Sequence, residues 1–357
     1  MGYLGSSAFA GVKAGSSDVS KIYVGSSLAW ESSPSSAFKL LTYTGNGAAR
    51  SITGAGFEPG LVWINKTSSS SKRDMIFDVT RGPTKLVTLN YASAENTNVN
   101  SLTSFDADGF SLGTEYDTNQ SGVVYRAFCW GGLGPAATNN DGTTATNVRV
   151  SAGTGFSVFT YTGNSVSNTT IGHGLGSTPD FVLIQYRFPN LSYLNRVYAP
   201  SVSTGNQVWT IAYQSALTTG SSAILAVGPN TITLSSNGSV NGTNGGGLSY
   251  VGYAFKSVPG LSKFGVVTND GSGVVNVDCG FMPQFLLLKA YNVFQNWYVC
   301  TPTGGTTGYV TFTTPPTDQA SNVSSNIAIT GTGFSLDPGA PGNVSGGTSS
   351  LFYMAYG

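Results

Sequence analysis

The sequence predicts an all-β protein: three tandem β-sandwich or jelly-roll-like repeats preceded by a short N-terminal arm. Three observations lead to this prediction. Gly is abundant (48 of 357 residues), and charged residues make up only 9% while aromatic residues make up 12%, which favours strands and turns over helices. Three sequence landmarks recur three times in the same order. Asn-Gly and Asp-Gly pairs occupy positions suited to tight hairpin turns.

The first landmark is an apolar strand that ends in a turn. FKLLTYTGNG begins at Phe38, FSVFTYTGNS begins at Phe156, and the looser copy FGVVTNDGSG begins at Phe264. Outward and inward positions alternate along these segments, and this period of two is typical of strands in sheets with two different faces.

The second landmark is a glycine, an apolar residue and a proline ahead of a strongly apolar strand. These strands read LVWINK, DFVLIQYR and QFLLLKAY. The third landmark closes each repeat with a small residue and an aromatic residue: Cys129-Trp130, Ala254-Phe255 and Ala355-Tyr356. Cys129 therefore occupies a position where the other copies have alanine, which indicates that it packs rather than reacts.

These landmarks set the predicted boundaries of the chain. The arm comprises residues 1–37, repeat 1 residues 38–131, a linker residues 132–155, repeat 2 residues 156–256, a second linker residues 257–263, and repeat 3 residues 264–357. Within the arm, VSKIYVGSSLAW (residues 19–30) predicts a short hairpin.

Charge and hydropathy exclude several classes of protein. Lys and Arg number 16 and Asp and Glu number 16, so the net charge is zero and an electrostatic nucleic-acid binder is not expected. No window carries about 18 consecutive apolar residues, so no membrane insertion is predicted. The first seven residues, MGYLGSS, show neither the basic start nor the apolar core of a secretory signal.

Catalytic, cofactor-binding and metal sites are not predicted. His173 is the single histidine and lies in a Gly-rich connection, so we interpret it as a loop residue rather than the base of a Ser-His-Asp triad. Cys129, Cys279 and Cys300 are widely spaced and odd in number, which suits neither a disulfide framework nor a zinc site. The chain is therefore not expected to be an enzyme.

One reaction stays possible from the sequence, the hydrolysis of a glycosidic bond by a pair of carboxyl groups. Asp106 and Asp108 flank a turn, and Glu115 and Asp117 follow in the next loop. The corresponding stretches of the other repeats do not carry this set, so a role in the turn and loop is favoured. Calcium coordination by the same oxygens is the alternative.

Two groups of residues are candidates for a structural or binding role. In repeat 1, Arg81 is a candidate for a structural ion pair with Asp78 and Glu95. Aromatic rings and uncharged polar groups are the features that sugar-binding surfaces use, because rings stack on sugar faces and amides bond to hydroxyls. Tyr193 and Trp209 are the candidate contacts with a receptor glycan.

The motifs of repeat 1 resemble a domain that recurs in structural proteins of tailed bacteriophages, especially phages of cyanobacteria. The motifs that carry the resemblance are TYTGNG, GFEPGLVWINK, FDVTRG, NYASAE, FDADGFSLG and YRAFCWGG. The arm segment VSKIYVGSSLAW is also similar to segments in such proteins. Repeats 2 and 3 keep the opening strand, the proline-led strand and the final strand, but they lack the Arg-Gly and Ala-Glu elements.

The resemblance implies a virion structural protein, most simply a tail fibre or a receptor-contacting tail component. Its partners would be other tail or baseplate proteins, further copies in a homo-oligomer such as a homotrimer, and a host surface glycan. Under this hypothesis the arm docks to the virion, and Tyr23 and Trp30 are the candidate anchors, because aromatic residues dominate buried interfaces. No cofactor is expected.

Two alternatives stay open at this point. A head decoration or cement protein would use the same kind of attachment arm, and the zero net charge does not distinguish the two. A polysaccharide depolymerase would need a carboxylate pair in a groove, often on a long parallel β-helix, and no repeat period of that kind is present in the sequence.

Overall fold

The structure is a computed structural model, and contacts between Cα atoms divide it into two units, Met1–Ser36 and Ala37–Gly357. It describes residues 12–14, 17–19, 21–24, 27–31, 37–67, 73–89, 95–187, 195–203, 207–209, 218–219, 224–236, 242–292, 297–302, 310–311, 327–338 and 348–357. These residues form antiparallel sheets with one short α-helix, so the all-β prediction is confirmed. No helix among them is long and apolar enough to cross a membrane.

The first unit contains two small hairpins. Strand β1 (Val12–Ala14) pairs with β2 (Ser17–Val19), and β3 (Lys21–Val24) pairs with β4 (Ser27–Glu31). The second of these is the hairpin predicted from residues 19–30. Tyr23 and Trp30 lie on its two strands, but their side chains fall outside what the structure describes, so their docking role stays a prediction.

The second unit, here called the body, begins with a six-stranded and a three-stranded sheet. The larger sheet has the order β10-β9-β8-β7-β13-β5 and the smaller has the order β11-β12-β6. The strands are β5 (Phe38–Thr44), β6 (Arg50–Thr53), β7 (Pro59–Lys66), β8 (Asp74–Asp78), β9 (Lys85–Thr88), β10 (Asn96–Thr97), β11 (Leu102–Asp106), β12 (Gly109–Leu112) and β13 (Val124–Gly131). Helix α1 (Tyr116–Asn119) lies between β12 and β13.

A second pair of sheets follows, with the orders β14-β15-β16-β24-β18-β19 and β17-β23-β22, together with a β20-β21 pair. The strands are β14 (Ala137–Asn139), β15 (Thr146–Ser151), β16 (Phe156–Thr162), β17 (Thr169–Gly172), β18 (Phe181–Tyr186), β19 (Arg196–Tyr198), β20 (Gln207–Val208), β21 (Thr218–Thr219), β22 (Ile224–Val227), β23 (Thr231–Leu234) and β24 (Ser249–Phe255). A 3₁₀ turn (Ala152–Thr154) joins β15 to β16.

A third pair has the orders β25-β32-β27-β28-β29 and β26-β31-β30. The strands are β25 (Ser262–Asn269), β26 (Val275–Asp278), β27 (Phe285–Ala290), β28 (Trp297–Cys300), β29 (Val310–Thr311), β30 (Ile327–Ile329), β31 (Gly333–Leu336) and β32 (Ser349–Tyr356). In each large sheet the last strand lies between the opening strand and the strand after the proline: β13 between β5 and β7, β24 between β16 and β18, and β32 between β25 and β27.

Each large sheet is buried on both faces, which explains its continuous apolar strands. One face packs on the neighbouring small sheet: Ala127 and Cys129 of β13 join a core with Ile52 and Phe110 of the small sheet. The opposite face joins one central core that draws residues from all three large sheets. Strands buried on both faces read as apolar runs rather than as an alternation.

The central core is closed by aromatic rings from the three final strands. The ring centroids of Trp130 and Phe255 are 6.0 Å apart, those of Trp130 and Tyr356 are 5.7 Å apart, and those of Phe255 and Tyr356 are 6.4 Å apart. The closing aromatic residues of the three sequence landmarks therefore meet at one place. Such ring pairs stabilise by about 0.5–1.5 kcal/mol each beyond the area they bury.

Each of the three large sheets contacts the other two around this core. Phe285 of the third sheet contacts Trp63 and Phe128 of the first, with ring centroids 5.6 and 4.9 Å away. Phe181 of the second sheet contacts Phe352 of the third at 5.8 Å. Tyr253 of the second sheet donates a hydrogen bond to Asp78 of the first. The three sheets therefore form a closed ring.

Two segments predicted as linkers carry strands. Residues 132–155 contain β14 and β15, and β15 pairs with β16 at the edge of the second large sheet. In β15 only Val148 and Val150 pack on the core, and the residues beside them in the sequence are polar. This apolar pattern is too short to predict a strand. Strand β25 begins at Ser262, inside the predicted linker 257–263. The other repeat boundaries stay predictions.

Candidate functional site

Helix α1 presents an exposed ring, that of Tyr116. The side chain is 55% exposed, and it is the only aromatic side chain among the described residues that falls in the exposed class. Neighbouring positions carry polar groups: Glu115 precedes the helix and Asp117 lies in its first turn. We call Tyr116, Glu115, Asp117, Asn98 and Val99 the Tyr116 surface.

A buried lysine lies under the exposed ring. The Nζ atom of Lys66, at the end of β7, is 4.0 Å from the centroid of the Tyr116 ring, and the lysine side chain is 0% exposed. The same atom lies 3.9 Å from Oδ1 of Asp117, whose Oδ2 is 3.4 Å from Nη1 of Arg73. Burial lowers the pKa of Lys66, and the Asp117 carboxylate opposes that shift.

The Lys66 ammonium has no hydrogen-bond partner among the described residues. Its contacts are the ring face and the distant carboxylate oxygen, which are favourable electrostatically but leave its donors unused. A buried donor without a partner costs free energy in the folded protein.

Hydroxyl groups from two stacked tyrosines hold the backbone of α1. The rings of Tyr43 and Tyr125 are 5.0 Å apart. Tyr43 donates from Oη to the Thr118 carbonyl at 2.7 Å, and Tyr125 donates to the Tyr116 carbonyl at 3.0 Å. Oη of Tyr125 also accepts from the backbone N–H of Gln120 at 2.9 Å.

The side chain of Asn119 completes this arrangement. It is fully buried, its Nδ2 donates to the carbonyls of Ala48 (2.7 Å) and Gly113 (2.8 Å), and its Oδ1 accepts from the N–H of Asn46 (3.0 Å). The two tyrosines and Asn119 together form what we call the Tyr-Asn clasp, which fixes the loop that carries Tyr116.

The second group of sheets contains the same clasp. Tyr161 donates to the Thr243 carbonyl at 2.6 Å, and Tyr250 accepts from the N–H of Gly245 at 2.9 Å. Asn244 is fully buried, donates to the Val166 carbonyl at 2.9 Å and accepts from the N–H of Asn164 at 2.9 Å.

Sequence reasoning missed the clasp, although a signal for it was present. Thr-Asn-x-x-Gly-x-x-Tyr occurs at residues 118–125 and again at 243–250. The glycines of the two copies, Gly122 and Gly247, both have φ near +75° (77° and 74°), which glycine adopts without strain. In the third sheet Val267 pairs with Leu351 at the corresponding position, so neither hydroxyl is available there.

The polar rim of the Tyr116 surface is also held by hydrogen bonds. Nδ2 of Asn98 donates to the Glu115 carboxylate, and the N–H of Glu115 donates to the Asn100 carbonyl at 2.9 Å. Val99, between the two asparagines, is 68% exposed. The segment that carries exposed Val99 is therefore joined by hydrogen bonds to Glu115, the residue before Tyr116.

The candidate ion-pair residues lie in a buried network. Nε of Arg81 donates to Oδ2 of Asp78 at 2.5 Å, and its Nη1 lies 3.2 Å from Oε2 of Glu95. Its Nη2 donates to the Ile76 carbonyl at 3.0 Å. Burial lowers the pKa of Arg81, but the Asp78 carboxylate and the other acceptors outweigh it, and the pKa is raised overall.

Two residues of the second sheet join this network. Tyr253 donates from Oη to Oδ2 of Asp78 at 2.8 Å. Arg187 binds both oxygens of Glu95, at 2.9 and 3.2 Å. The network therefore ties the β8–β9 loop of the first sheet to the second sheet, and its geometry indicates a structural role.

The aromatic candidates for glycan contact fall elsewhere. Trp209 is fully buried in the central core, with its ring 5.8 Å from Trp297 and 5.9 Å from Phe352. This corrects the expectation that it faces a receptor, because a ring packed between two others is removed from solvent. Tyr193 lies outside the described residues.

The single histidine is held inside the fold. His173 follows β17, is fully buried, and its Nε2 lies 3.1 Å from the Gly228 carbonyl while its Nδ1 accepts from the N–H of Leu175 at 3.2 Å. Burial lowers its pKa. These two bonds suit a neutral ring with the proton on Nε2, and they engage both nitrogens in organising the loop.

The carboxylates weighed for sugar hydrolysis or calcium also have local partners. Asp106 accepts from the hydroxyls of Ser104 and Ser111, both at 2.7 Å. Asp108 accepts from the N–H groups of Gly54 and Gly56. Within the described ranges, no group of three or more His, Cys, Asp or Glu residues is placed to hold a metal ion.

The cysteines are all free and buried. Burial raises the pKa of the Cys279 thiol to about 11 and raises the pKa values of Cys129 and Cys300 as well. Cys129 pairs with Val62 across the strands, at the level where Ala254 pairs with Val182. It therefore packs as a small apolar residue.

Comparison with known proteins gives one finding. A family model described as a domain of unknown function, DUF7483, matches residues 33–357. Neither the search of curated proteins nor the search of solved structures gave a match.

Proposed function

Because the chain belongs to the DUF7483 family, whose description assigns no function, we propose a role from its build: it is a structural protein of a phage virion, most simply a tail fibre or a receptor-contacting tail component. The observation that carries the proposal is the division into a short β-hairpin unit and one ring-like body with a shared aromatic core. A small unit suits docking, and a body with three outer small sheets suits presentation of loops.

The make-up of the body supports this role. Its interior is closed by ring contacts, and its loops near Tyr116 are fixed by buried hydrogen bonds rather than left open. A rigid scaffold that carries its binding residues on loops is a common arrangement in recognition proteins. The charge content of 9% suits a surface that contacts neutral polymers. The homotrimer stays a prediction.

Immunogold labelling of purified phage particles with antibody against this chain tests the proposal. We expect gold on the tail, and deletion of residues 1–37 should prevent incorporation while the body still folds. Gold distributed over the head would replace the tail assignment by the decoration alternative. Particles that carry no label, in a lysate where the chain is expressed, would contradict a virion role altogether.

A further inference from the structure

We infer that the Tyr116 surface binds a neutral pyranose sugar, with the exposed ring stacked on the apolar face of the sugar. The inference deepens the proposed receptor contact, and it rests on that proposal for the source of the sugar, a host surface glycan. It is carried by the exposure of the ring, the buried ammonium beneath it and the charge balance around it.

The exposure of Tyr116 is the first argument. The described aromatic side chains of the body otherwise lie in cores or are half-buried, so a 55% exposed ring is unusual among them. Tyrosine offers a flat apolar face with a polar tip, and the C–H groups on one side of a pyranose pack against such a face.

The fixed position of the ring is the second argument. Its backbone carbonyl is bound by Tyr125, the next residues are held by Tyr43 and Asn119, and Lys66 lies against one ring face. A side chain that is already held in place loses little entropy when a ligand binds. The inner face is taken by the lysine, so the outer face is the one offered to a ligand.

The buried ammonium of Lys66 is the third argument. It is 0% exposed, it lies between the ring and the Asp117 carboxylate, and it has no hydrogen-bond partner among the described residues. Its contact with the inner face of the ring supports the orientation in which the outer face is turned to solvent, where a sugar can stack on it.

The charges decide between ligand classes. Lys66 and Arg73 are cationic, and Glu115 and Asp117 are anionic, so the formal charges of this group cancel. A balanced site offers no net attraction to an anion or a cation, whereas its carboxylates and asparagines accept and donate hydrogen bonds to hydroxyls. These properties favour a neutral, hydroxyl-rich ligand over an acidic one.

Saturation-transfer NMR on the full chain tests the inference. The probes are methyl β-galactopyranoside, methyl α-glucopyranoside, methyl α-mannopyranoside and N-acetylglucosamine, each at millimolar concentration. At least one should receive saturation from the protein. Replacing the ring in Tyr116→Ala should weaken its binding about tenfold, which corresponds to loss of about 1.4 kcal/mol. Tyr116→Trp should retain binding.

Val166→Ala is the matched control. Val166 is 58% exposed and accepts through its carbonyl from the second clasp, so its side chain occupies a comparable loop without an exposed ring. This variant should bind as the wild type does, and circular dichroism should show all variants folded. Absence of transfer to every probe, or equal binding by folded Tyr116→Ala, would overturn the inference.

The outcome is separable from that of the proposed function. Particles that carry gold while the chain binds none of the sugars would contradict the sugar site alone. Sugar binding that depends on Tyr116, in a chain that labels no particle, would contradict the virion role alone.

Discussion

Arg81 and Lys289 are both buried cations, and their surroundings move their pKa values in opposite directions. Arg81 meets two carboxylates and a carbonyl, and its pKa is raised. Lys289 is 0% exposed with the Trp297 ring 5.9 Å from its Nζ, and burial lowers its pKa to about 7. The partners of Arg81 therefore favour its charged form, whereas burial disfavours the charged form of Lys289.

Lys289 predicts a pH dependence of stability. Its folded pKa lies below the unfolded value, so the folded state binds fewer protons between about pH 7 and the unfolded pKa of about 10.4. The free energy of unfolding should therefore rise with pH in this window. Lys289→Met should lose this rise, because it removes the group that titrates. Urea titrations at pH 7 and pH 9 measure the change in the free energy of unfolding of each protein; equal changes in the two proteins would refute the prediction.

Interactions of single residues could be predicted from the sequence where both partners lie close together in the chain. Asp78 and Arg81 are three positions apart, and their ion pair could be anticipated. The hydrogen bonds of Arg187 and Tyr253 to these residues could not be predicted. Both residues belong to the second group of sheets, and they reach Glu95 and Asp78 only because the first and second large sheets pack together. Composition indicated that aromatic rings were numerous, but it could not separate exposed Tyr116 from buried Trp209, because residue counts do not tell which rings face a core.

Among the elements, the Tyr-Asn clasp shows how a loop and a strand pair depend on each other. Two cross-strand tyrosines present hydroxyls to one loop, and the loop supplies carbonyls, an N–H group and a buried asparagine. The clasp occurs in the first two groups of sheets. Where the third sheet has Val267 and Leu351, the tyrosine hydroxyls are lost together.

Removal of the clasp asparagine should destabilise the body. Asn244→Ala leaves the Val166 carbonyl and the Asn164 N–H without this partner, and we expect a loss of about 2 kcal/mol in the free energy of unfolding. The exposed residue Asn230 provides the control, because Asn230→Ala should change stability by less than about 0.5 kcal/mol. Chemical denaturation measures the unfolding midpoints of both variants and of the wild type. Equal midpoints for Asn244→Ala and the wild type would show that the Asn244 hydrogen bonds do not stabilise the body.

The existence of the strands was easier to predict than their alignment. The repeats in the sequence align Phe264 with Phe38. In the structure Phe38 pairs with Trp130 and Ser262 pairs with Tyr356, so the residue that corresponds to Phe38 is Ser262. The offset is two residues. Because side chains on one face of a strand recur every two residues, a phenylalanine shifted by two still reaches the same core, and the sequence pattern cannot reveal the shift.

At the scale of the whole molecule, the three large sheets depend on one another for burial. Trp63, Phe128 and Trp130 of the first sheet lie in the central core, where they contact rings of the third sheet. Sequence landmarks predicted the closing aromatic residues, but not that they would meet, since no local pattern states which distant faces pack together. A series of separate domains and a closed ring of sheets would have the same strand and turn patterns in their sequences.

Residues 38–131 expressed alone should therefore not form a stable soluble domain. Their central-core face would expose large rings to water, and exposed apolar patches of this kind lead to association. Residues 37–357 should instead unfold in one cooperative transition. Size-exclusion chromatography and calorimetry of the two chains make the comparison. A monomeric fragment with a cooperative transition of its own would indicate independent repeats.

Closure of the ring brings the two ends of the body together. The rings of Phe38 and Tyr356 are 5.0 Å apart, and the N–H of Gly131 donates to the Ala37 carbonyl while that of Gly357 donates to the Leu261 carbonyl. The connection from the second to the third sheet passes the same place as the ends. The packing of the three sheets therefore does not require this order along the chain. We expect a circular permutant that joins residue 357 to residue 37 and opens between Ser257 and Gly260 to keep the contacts between the large sheets.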